Sequence, residues 1–314
     1  MNQVRVFAPA TVANVSCGYD AMGFALQALG DEMLFTKTES KEVVISKIEG
    51  AKLPFSTDKN VVGVVAKLML EDSKANFGVD VQIFKNFKPG SGLGSSAASA
   101  SGSAFAINQL LGNKYSNIEL TKFAMQGEVA ACGSAIADNV AAAIYGGFIL
   151  VRSYDPLDII EIPSPPELVA TIIHPQIEVK TEDSRKVIEP EIPIKTAIAQ
   201  WANVGGLISG LHTSDFDLIS RSLVDYVAEP ARKHLIPHFD EVKNAAIEQG
   251  ALGAGISGSG PSIFALSNGV ETANNVAEAM NTIYKDKGID YKIYISRISN
   301  QGAKVINPVS TSLQ

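Results

Sequence analysis

The chain has 314 residues, 46% of them apolar and 19% charged, with a formal net charge of −7. These values are typical of a well-packed globular protein, and the length predicts two modest domains. The negative charge argues against a nucleic-acid partner. The longest strongly apolar run, residues 140–151, is too short to span a bilayer. Because no charged and apolar leader opens the chain, we expect no membrane association and a cytoplasmic location.

Apolar patterning in the first half predicts mixed strands and helices. Alternating or continuous apolar runs predict strands at residues 4–10, 33–39, 43–48, 79–84 and 147–154. Helical periodicity and start signals predict helices over 60–74, after the Ser-rich segment near 95, from a capping box at Ser116 and Glu119, and over 135–145. A Pro-rich seam at 156–166 predicts a domain boundary, with one domain at 1–160 and another at 161–314.

The second half repeats this mixture, which makes the predicted fold class α+β throughout. Strands are expected at 167–175, 262–267 and 291–298, helices up to residue 249 and over 271–284, and a poorly ordered tail from residue 300. Two cysteines and four histidines form no spaced pattern typical of a metal site or a disulfide framework.

Residues 89–101, PGSGLGSSAASAS, form the most informative segment. Side chains this small let backbone N–H groups crowd around a ligand, and a helix N-terminus that follows favours phosphate. A flexible linker is the alternative, but the segment lies between an alternating strand and an apolar helix. No Gly-Lys-Ser/Thr occurs in the chain, so the charge on a phosphate must be neutralised by a lysine from elsewhere or by a metal.

Other candidate residues are less specific when considered alone. Residues 8–26 contain a demanding turn with Asn14 and Asp20, followed by an apolar, helix-like run. Glu128 is equally compatible with a solvated helix position. Arg185, at a predicted helix start, and Arg232 have the planar donors that suit a carboxylate, although surface ion pairs are the more common role of arginine. A Gly-x-Gly-x-x-Gly at 253–258 fits a dinucleotide site poorly, because a helix precedes it and a strand follows.

Five ordered motifs resemble those of the GHMP kinases, and of homoserine kinases among them. GLGSSAA at 92–98 is similar to their phosphate-binding signature, with its proline, Pro89, one place late. Ala13-Asn14, Gly18-Tyr19-Asp20 and Gly23 resemble the N-terminal motif of homoserine kinases, and Ser257–Gly260 resembles the third GHMP motif. The surroundings of both arginines and of Asp138-Asn139 also match. Ile136 stands where these kinases often have histidine.

The resemblance implies a ribosomal-S5-like N-terminal domain and a ferredoxin-like C-terminal domain, commonly in a homodimer. It implies transfer of the ATP γ-phosphoryl group to the side-chain hydroxyl of L-homoserine, in threonine biosynthesis. Mg²⁺ would lie on Ser96 and Glu128. Arg185 and Arg232 would hold the substrate carboxylate, and Asp20 and Asn14 its ammonium and neighbouring polar atoms. The nucleotide site would comprise Asn60, Pro89, Gly90, Ser91, Gly92, Leu93, Gly94, Ser95, Ser96 and Ala97.

At the reacting hydroxyl the resemblance places Asn139 as a hydrogen-bond partner. Asp138 either accepts the hydroxyl proton or only orients the hydroxyl, because a loose phosphoryl-transfer transition state depends mainly on positioning and charge. Two alternatives stay open. One is a related kinase acting on mevalonate, a sugar or a diphosphocytidyl polyol, which would need no clamp for an amino acid. The other is a non-catalytic nucleotide sensor on the same scaffold.

Overall fold

The computed structural model describes residues 1–133, 136–177, 179 and 181–306. A seven-stranded sheet belongs mainly to the first half, with strand order β11-β1-β2-β4-β3 and with β5 and β6 continuing from β2. Its strands are β1 (Gln3–Ala13), β2 (Met22–Thr38), β3 (Val43–Glu49), β4 (Gly78–Phe84), β5 (Phe148–Tyr154), β6 (Leu157–Ile162) and β11 (Lys304–Val305). The helices of this half are α1 (Val61–Ser73), α2 (Ser95–Leu110), α3 (Asn117–Cys132) and α4 (Asp138–Tyr145).

A four-stranded antiparallel sheet belongs to the second half, in the order β10-β7-β9-β8. Its strands are β7 (Leu168–Pro175), β8 (Gly253–Ile256), β9 (Ile263–Asn268) and β10 (Tyr291–Arg297). The helices here are α5 (Thr181–Lys186), α6 (Ile194–Thr213), α7 (Phe216–Ser222), α8 (Ala228–Arg232), α9 (Phe239–Glu248) and α10 (Val270–Tyr284). The α+β prediction is confirmed in both halves.

Side chains on the two faces of β7 explain how the halves pack together. Successive strand residues point to opposite faces. Leu168 and Ile172 belong to the large hydrophobic core that also contains Phe24 of β2. Ile173 lies in a second cluster with α9 and α10 residues such as Met280. Burial on both faces accounts for the nearly continuous apolar sequence of β7, and it gives the two halves one shared core.

Helix α2 packs closely on β1 because its buried side chains are small. Ala97, Ala98 and Ala100 are fully buried, and a Cβ on Gly102 would collide with Met33 and Ala8. The same small residues that suggest a phosphate loop therefore also bring the start of α2 down onto the sheet.

Several predicted elements differ from the structure. The apolar run after residue 21 is the beginning of β2, not a helix, because Met22–Phe24 pairs with β5. The Pro-rich seam contains β6, which pairs along β5. The expected disorder from residue 300 is wrong for 300–306, where Lys304 and Val305 pair with β1. The predicted helix over 135–145 is described from Asp138, and residue 135 lies outside the described residues.

Within the described ranges, no helix is both long and apolar enough to cross a bilayer.

Candidate active site

The Gly/Ser-rich loop lies between β4 and α2 and ends at the first turn of that helix. Gly90, Gly92 and Gly94 have φ of 73°, 76° and 65°, a left-handed conformation that glycine adopts without steric cost. A Cβ on Gly92 would come within 2.6 Å of the carbonyl oxygens of Ser257 and Gly260. The backbone of this loop thus packs closely against residues 257–260. The loop leads directly into the N-terminus of α2, where orphan N–H groups and the helix dipole favour an anion.

A cavity of about 350 Å³ opens at this end of α2. Most of the predicted site residues line it: Asn14, Asp20, Asn60, Pro89, Gly90, Ser91, Gly92, Gly94, Ser95, Ser96, Glu128, Asp138, Asn139, Arg185 and Arg232. Leu93 and Ala97 are the exceptions, since both side chains are fully buried in the hydrophobic core. The Leu93 N–H is also directed at Ser91 Oγ, 3.3 Å away.

A second glycine-rich loop supports the first. Ser257 Oγ donates a hydrogen bond to the carbonyl oxygen of Gly92 at 2.7 Å, and Ser262 Oγ donates to that of Ser91 at 2.6 Å. This second loop, which includes the segment similar to the third GHMP motif, therefore packs against the Gly/Ser-rich loop. Bonds to two carbonyls of the loop hold its backbone in one conformation.

A buried ion pair lies beneath the loop, between Lys85 and Asp31. The Lys85 ammonium also donates to the Ser95 carbonyl oxygen at 2.9 Å and to Ser99 Oγ at 3.0 Å. Burial lowers the pKa of Lys85 and raises that of Asp31, and the attraction between the two opposes both shifts. Lys85 lines the cavity, and Glu128 adds a further attraction. This lysine, 10 residues before Ser95, matches no phosphate-loop motif, so sequence reasoning missed it.

The oxygen donors on the cavity wall fit Mg²⁺. Ser96 and Glu128 both line the cavity, and Ser95 Oγ is buried without a hydrogen-bond partner among the described residues. No group of three His, Cys, Asp or Glu side chains suited to a metal occurs in those residues. Mg²⁺ needs only one or two protein oxygens when substrate phosphates supply others. A hydroxyl and a carboxylate beside a helix end that favours phosphate would therefore suffice.

Asp138 and Asn139 occupy the first turn of α4 and are joined in a small network. Thr11 Oγ1, on β1, donates to Asn139 Oδ1 at 2.7 Å. The Asn139 amide nitrogen in turn donates to Asp138 Oδ1 at 3.2 Å, as does the Asn139 backbone N–H at 2.7 Å. The network sets the orientation of the Asn139 amide and directs it at the carboxylate. Thr11 is 128 residues away in sequence, which left no local signal for its role.

The electrostatic environment of Asp138 disfavours its charge. Only 3% of the residue is exposed, and burial raises the pKa of the carboxyl to about 7. The negative charge of Asp20 adds to this rise, and Arg185 opposes it. A carboxyl whose pKa lies near neutrality is suited to accept a proton at ordinary pH.

Asp20 and Arg185, predicted to bind opposite ends of a substrate, bind each other. The two guanidinium Nη atoms of Arg185 donate to the two carboxylate oxygens of Asp20 at 3.1 and 2.9 Å. Both side chains are 33% exposed and face the cavity. Arg185 lies near the end of α5, not at a helix start as predicted. The site thus contains its own balanced pair of charges.

Arg232 is more deeply buried, with 3% of the residue exposed. Its Nε donates to the Ser184 carbonyl oxygen at 2.8 Å, one Nη to the Gly258 carbonyl oxygen at 3.1 Å, and the other to Tyr19 Oη at 3.2 Å. Burial lowers the pKa of this guanidinium. Arg232 therefore joins α5, the second glycine-rich loop and the N-terminal turn at the cavity wall.

The side chain of Asn14 stabilises the N-terminal turn with two hydrogen bonds. Its amide nitrogen donates to the Gly258 carbonyl oxygen at 2.9 Å, and its Oδ1 accepts from the Asp20 N–H at 3.0 Å. Asn14, Val15 and Ser16 have φ of 70°, 42° and 58°, a conformation that is costly for a β-branched residue such as valine. A strained turn held by its own asparagine fixes the direction of the Asp20 carboxylate.

Asn60 begins α1 and has a structural role of its own. Its Oδ1 accepts from the Val62 N–H at 3.0 Å, and its amide nitrogen donates to the Pro54 carbonyl oxygen at 2.8 Å. We expect Asn60→Ala to lose about 1 kcal/mol of helix-cap stabilisation and roughly 2–4 °C in Tm, measured by calorimetry. Asn60→Ser keeps a cap acceptor, so its Tm should stay near that of the parent.

The same two variants separate the cap from the predicted nucleotide contact. If Asn60 touches the nucleotide, the KM for ATP rises in both variants, whereas loss of the cap alone affects only the alanine variant. An unchanged Tm in Asn60→Ala would contradict the cap assignment.

Comparisons with known proteins agree with this geometry. A family model described as the GHMP kinases N terminal domain matches residues 60–147, and one for the GHMP kinases C terminal matches 207–286. A homoserine kinase of Chlorobium phaeobacteroides is 49% identical over 98% of this chain and 100% of its own length. One of Methanococcus maripaludis is 43% identical over 85% of this chain and 88% of its own length.

Solved structures extend the likeness to three dimensions. The crystal structure of a homoserine kinase from Cytophaga hutchinsonii superimposes with a TM-score of 0.94 at 51% identity, covering 98% of both chains. A mevalonate kinase of L. major, at 14% identity and a TM-score of 0.70, shares the fold. Full-length identity near one half, together with both domain models, shows that this chain belongs to the homoserine kinases of the GHMP kinase family.

Proposed function

We propose that the protein transfers the γ-phosphoryl group of ATP to the side-chain hydroxyl of L-homoserine, forming O-phospho-L-homoserine and ADP for threonine biosynthesis. One observation carries the proposal. A single cavity combines a phosphate-binding helix end with two arginines and an aspartate, Arg185, Arg232 and Asp20. The first feature suits a nucleoside triphosphate, and the second suits an amino-acid zwitterion.

The nucleotide phosphates would lie against the backbone of Gly90–Ser96 and the first turn of α2. Lys85, directly below this turn, adds positive charge that Asp31 shares. Ser96 and Glu128 would hold Mg²⁺, which when bound supplies charge neutralisation at the β- and γ-phosphates. The bonds from Ser257 and Ser262 hold the loop in this shape through the protein's own contacts, so little ordering is needed on binding.

The substrate would bind on the opposite side of the cavity. Arg185 and Arg232 would take its carboxylate, and Asp20 its ammonium. Asn14, whose amide is engaged with Gly258 and Asp20, would act mainly by keeping Asp20 in place. Held at both charged ends, homoserine has its hydroxyl as the only reactive group free to reach the γ-phosphate.

In the chemical step the homoserine oxygen forms a bond to the γ-phosphorus while the bond from that phosphorus to the bridging oxygen of ADP breaks. The hydroxyl proton passes to the Asp138 carboxylate. Asn139, bonded to Asp138 and Thr11, would hold this carboxylate in position, and its remaining amide hydrogen would be available to the hydroxyl. Positioning and charge supply most of the catalysis, because the transition state is loose.

The remaining assignments are proposals of the same kind. We place the domain boundary near residue 160, between 1–160 and 161–314. The second sheet begins at Leu168, just after this boundary, although β6 (Leu157–Ile162) of the first sheet crosses it. The pairing of β11 with β1 also returns the end of the chain to the first sheet. A homodimer and a cytoplasmic location follow from the family resemblance.

The test is an assay of ADP release with Mg-ATP and a panel of L-homoserine, L-serine, mevalonate and galactose. Turnover with homoserine alone supports the proposal. Turnover with a different alcohol would support a kinase but contradict the proposed binding site for an amino-acid zwitterion. No turnover with any of the four compounds would favour a nucleotide sensor.

Arg232→Ala should mainly raise the KM for homoserine. We expect an increase of about 10- to 100-fold, because a carboxylate loses a charged donor, with a smaller change in kcat. Steady-state kinetics at saturating ATP measures both constants. Arg232→Lys, which retains the charge but not the planar fork, should recover only part of the loss. An unchanged KM in the alanine variant would remove Arg232 from the substrate site.

A further inference from the structure

Gln200, on α6, links two parts of the substrate site without lining the cavity. Its amide nitrogen donates to the Cys17 carbonyl oxygen at 2.8 Å and to Asp225 Oδ1 at 3.0 Å. Its side-chain carbonyl oxygen, Oε1, accepts a hydrogen bond from the Tyr226 N–H at 2.8 Å. Both amide hydrogens and the oxygen are therefore engaged, so the side chain is fixed in one orientation.

Asp225, the partner of Gln200, caps the short helix that carries Arg232. Its Oδ1 accepts from the N–H groups of Val227 and Ala228 at 2.8 and 3.1 Å, and its Oδ2 accepts from the Glu229 N–H at 2.8 Å. The carboxylate is 7% exposed and satisfies the orphan donors at the start of α8. The direction of α8, and with it the position of Arg232 at its end, depends on this cap.

Cys17 belongs to the strained N-terminal turn that carries Asn14 and Asp20. Gln200 therefore lies between the turn that holds Asp20 and the cap of the helix that holds Arg232. Arg232 also contacts the N-terminal turn directly, because it donates a hydrogen bond to Tyr19 Oη. The turn and α8 are thus joined at two points, one inside the cavity and one behind it.

We propose that Gln200 is a positioning residue for the substrate site, which sets the separation between Asp20 and Arg232 by joining Cys17 to Asp225. The inference rests on the proposed function for the identity of the substrate. An amide is required at this place, since two acceptors, a carbonyl oxygen and a carboxylate, face the same nitrogen. The phosphate loop lies on the other side of the cavity and makes no contact with this link among the described bonds.

The test compares Gln200→Glu with Asn203→Ala. Gln200→Glu has almost the same shape but places a carboxylate against Asp225 and the Cys17 carbonyl. Asn203, on the same helix, donates to the Val224 carbonyl oxygen at 2.9 Å, so its variant loses a bond to the same segment without touching the N-terminal turn. We expect the KM for homoserine to rise about tenfold or more in Gln200→Glu and less than about threefold in Asn203→Ala. The KM for ATP should stay within about twofold in both.

Three results would overturn the inference. One is a KM for homoserine in Gln200→Glu that matches the Asn203→Ala value. Another is a parallel rise in the KM for ATP, which a general loss of structure would cause. The third is full additivity with Arg232→Ala, because a residue acting through Arg232 has little left to affect in that background. If Gln200→Glu does not fold, Gln200→Ala replaces it, with an expected rise of about threefold or more.

The unaltered protein separates this inference from the function on which it rests. Absence of homoserine turnover by that protein overturns the proposed function itself. Normal turnover of homoserine, with a KM for homoserine that Gln200→Glu leaves unchanged, overturns only the positioning role of Gln200.

Discussion

Asp138→Asn is expected to lower kcat by roughly 10²- to 10⁴-fold, the usual contribution of a general base. In the parent protein the Asn139 N–H donates to Asp138 Oδ1 at 2.7 Å. Asparagine at position 138 keeps the shape of the side chain and an oxygen for this bond, but it cannot accept the hydroxyl proton. Rapid mixing or steady-state ADP release measures kcat, and nucleotide binding measured by calorimetry should be unchanged. A loss smaller than about tenfold would mean that Asp138 only orients the hydroxyl.

The pH dependence of kcat/KM gives a second measure of the same group. Burial, followed by the charge of Asp20, raises the pKa of Asp138 from 3.8 to about 7. Because a general base accepts a proton only when it is ionised, the proposed role of Asp138 predicts that kcat/KM rises with pH through a midpoint near 7 and levels off above it. The residual activity of Asp138→Asn should lack this rise. A variant that retains the wild-type rise would assign it to another group.

Stability should change in the opposite direction, which separates the chemistry from damage to the fold. A carboxyl whose pKa is higher in the folded state than in the unfolded state binds more protons when folded. Its stabilising effect is present at low pH and is lost as the pH rises from 3.8 to about 7. Above neutrality, Asp138→Asn should therefore have a higher Tm than the parent, because it no longer buries a charge. A lower Tm there would indicate that the substitution disturbs the fold.

Local features of the site could be predicted from the sequence. Glycines with positive φ, the small residues of α2 and the capping box of α3 depend on neighbours within a few residues. The clustering of Asn14, Asp138 and Arg232 at one cavity was accessible through the family resemblance, which places motifs that are far apart in the chain at one site.

The partners of these side chains could not be predicted. Arg185 and Asp20 are 165 residues apart, and Thr11 and Asn139 are 128 apart. Such pairs depend on how the two sheets share a core, and no local periodicity records that arrangement. The misassigned start of β2 has a similar cause: its apolar run is compatible with helix or strand, and pairing with β5 decides between them.

We expect the Asp20–Arg185 ion pair to make the protein select a zwitterionic substrate over a ligand with a single charge. The charges of Asp20 and Arg185 balance each other through their ion pair. A zwitterion brings a carboxylate for Arg185 and an ammonium for Asp20, so it exchanges one ion pair for two and leaves neither side chain unpaired. A ligand with a single charge separates the pair and leaves a partly exposed charge without a partner, which costs about 1–3 kcal/mol.

Two single-charge analogues test this exchange: 4-hydroxybutyrate, which lacks the ammonium, and 3-amino-1-propanol, which lacks the carboxylate. The unaltered protein should prefer homoserine over each by roughly 10- to 100-fold in kcat/KM. Asp20→Asn should lose most of its discrimination against 4-hydroxybutyrate only, and Arg185→Gln most of its discrimination against 3-amino-1-propanol only. Each variant removes the charge of the Asp20–Arg185 pair that its analogue would leave unpaired. If both variants instead lost discrimination against both analogues equally, the preference would arise from the shape of the cavity and not from the exchange of charges.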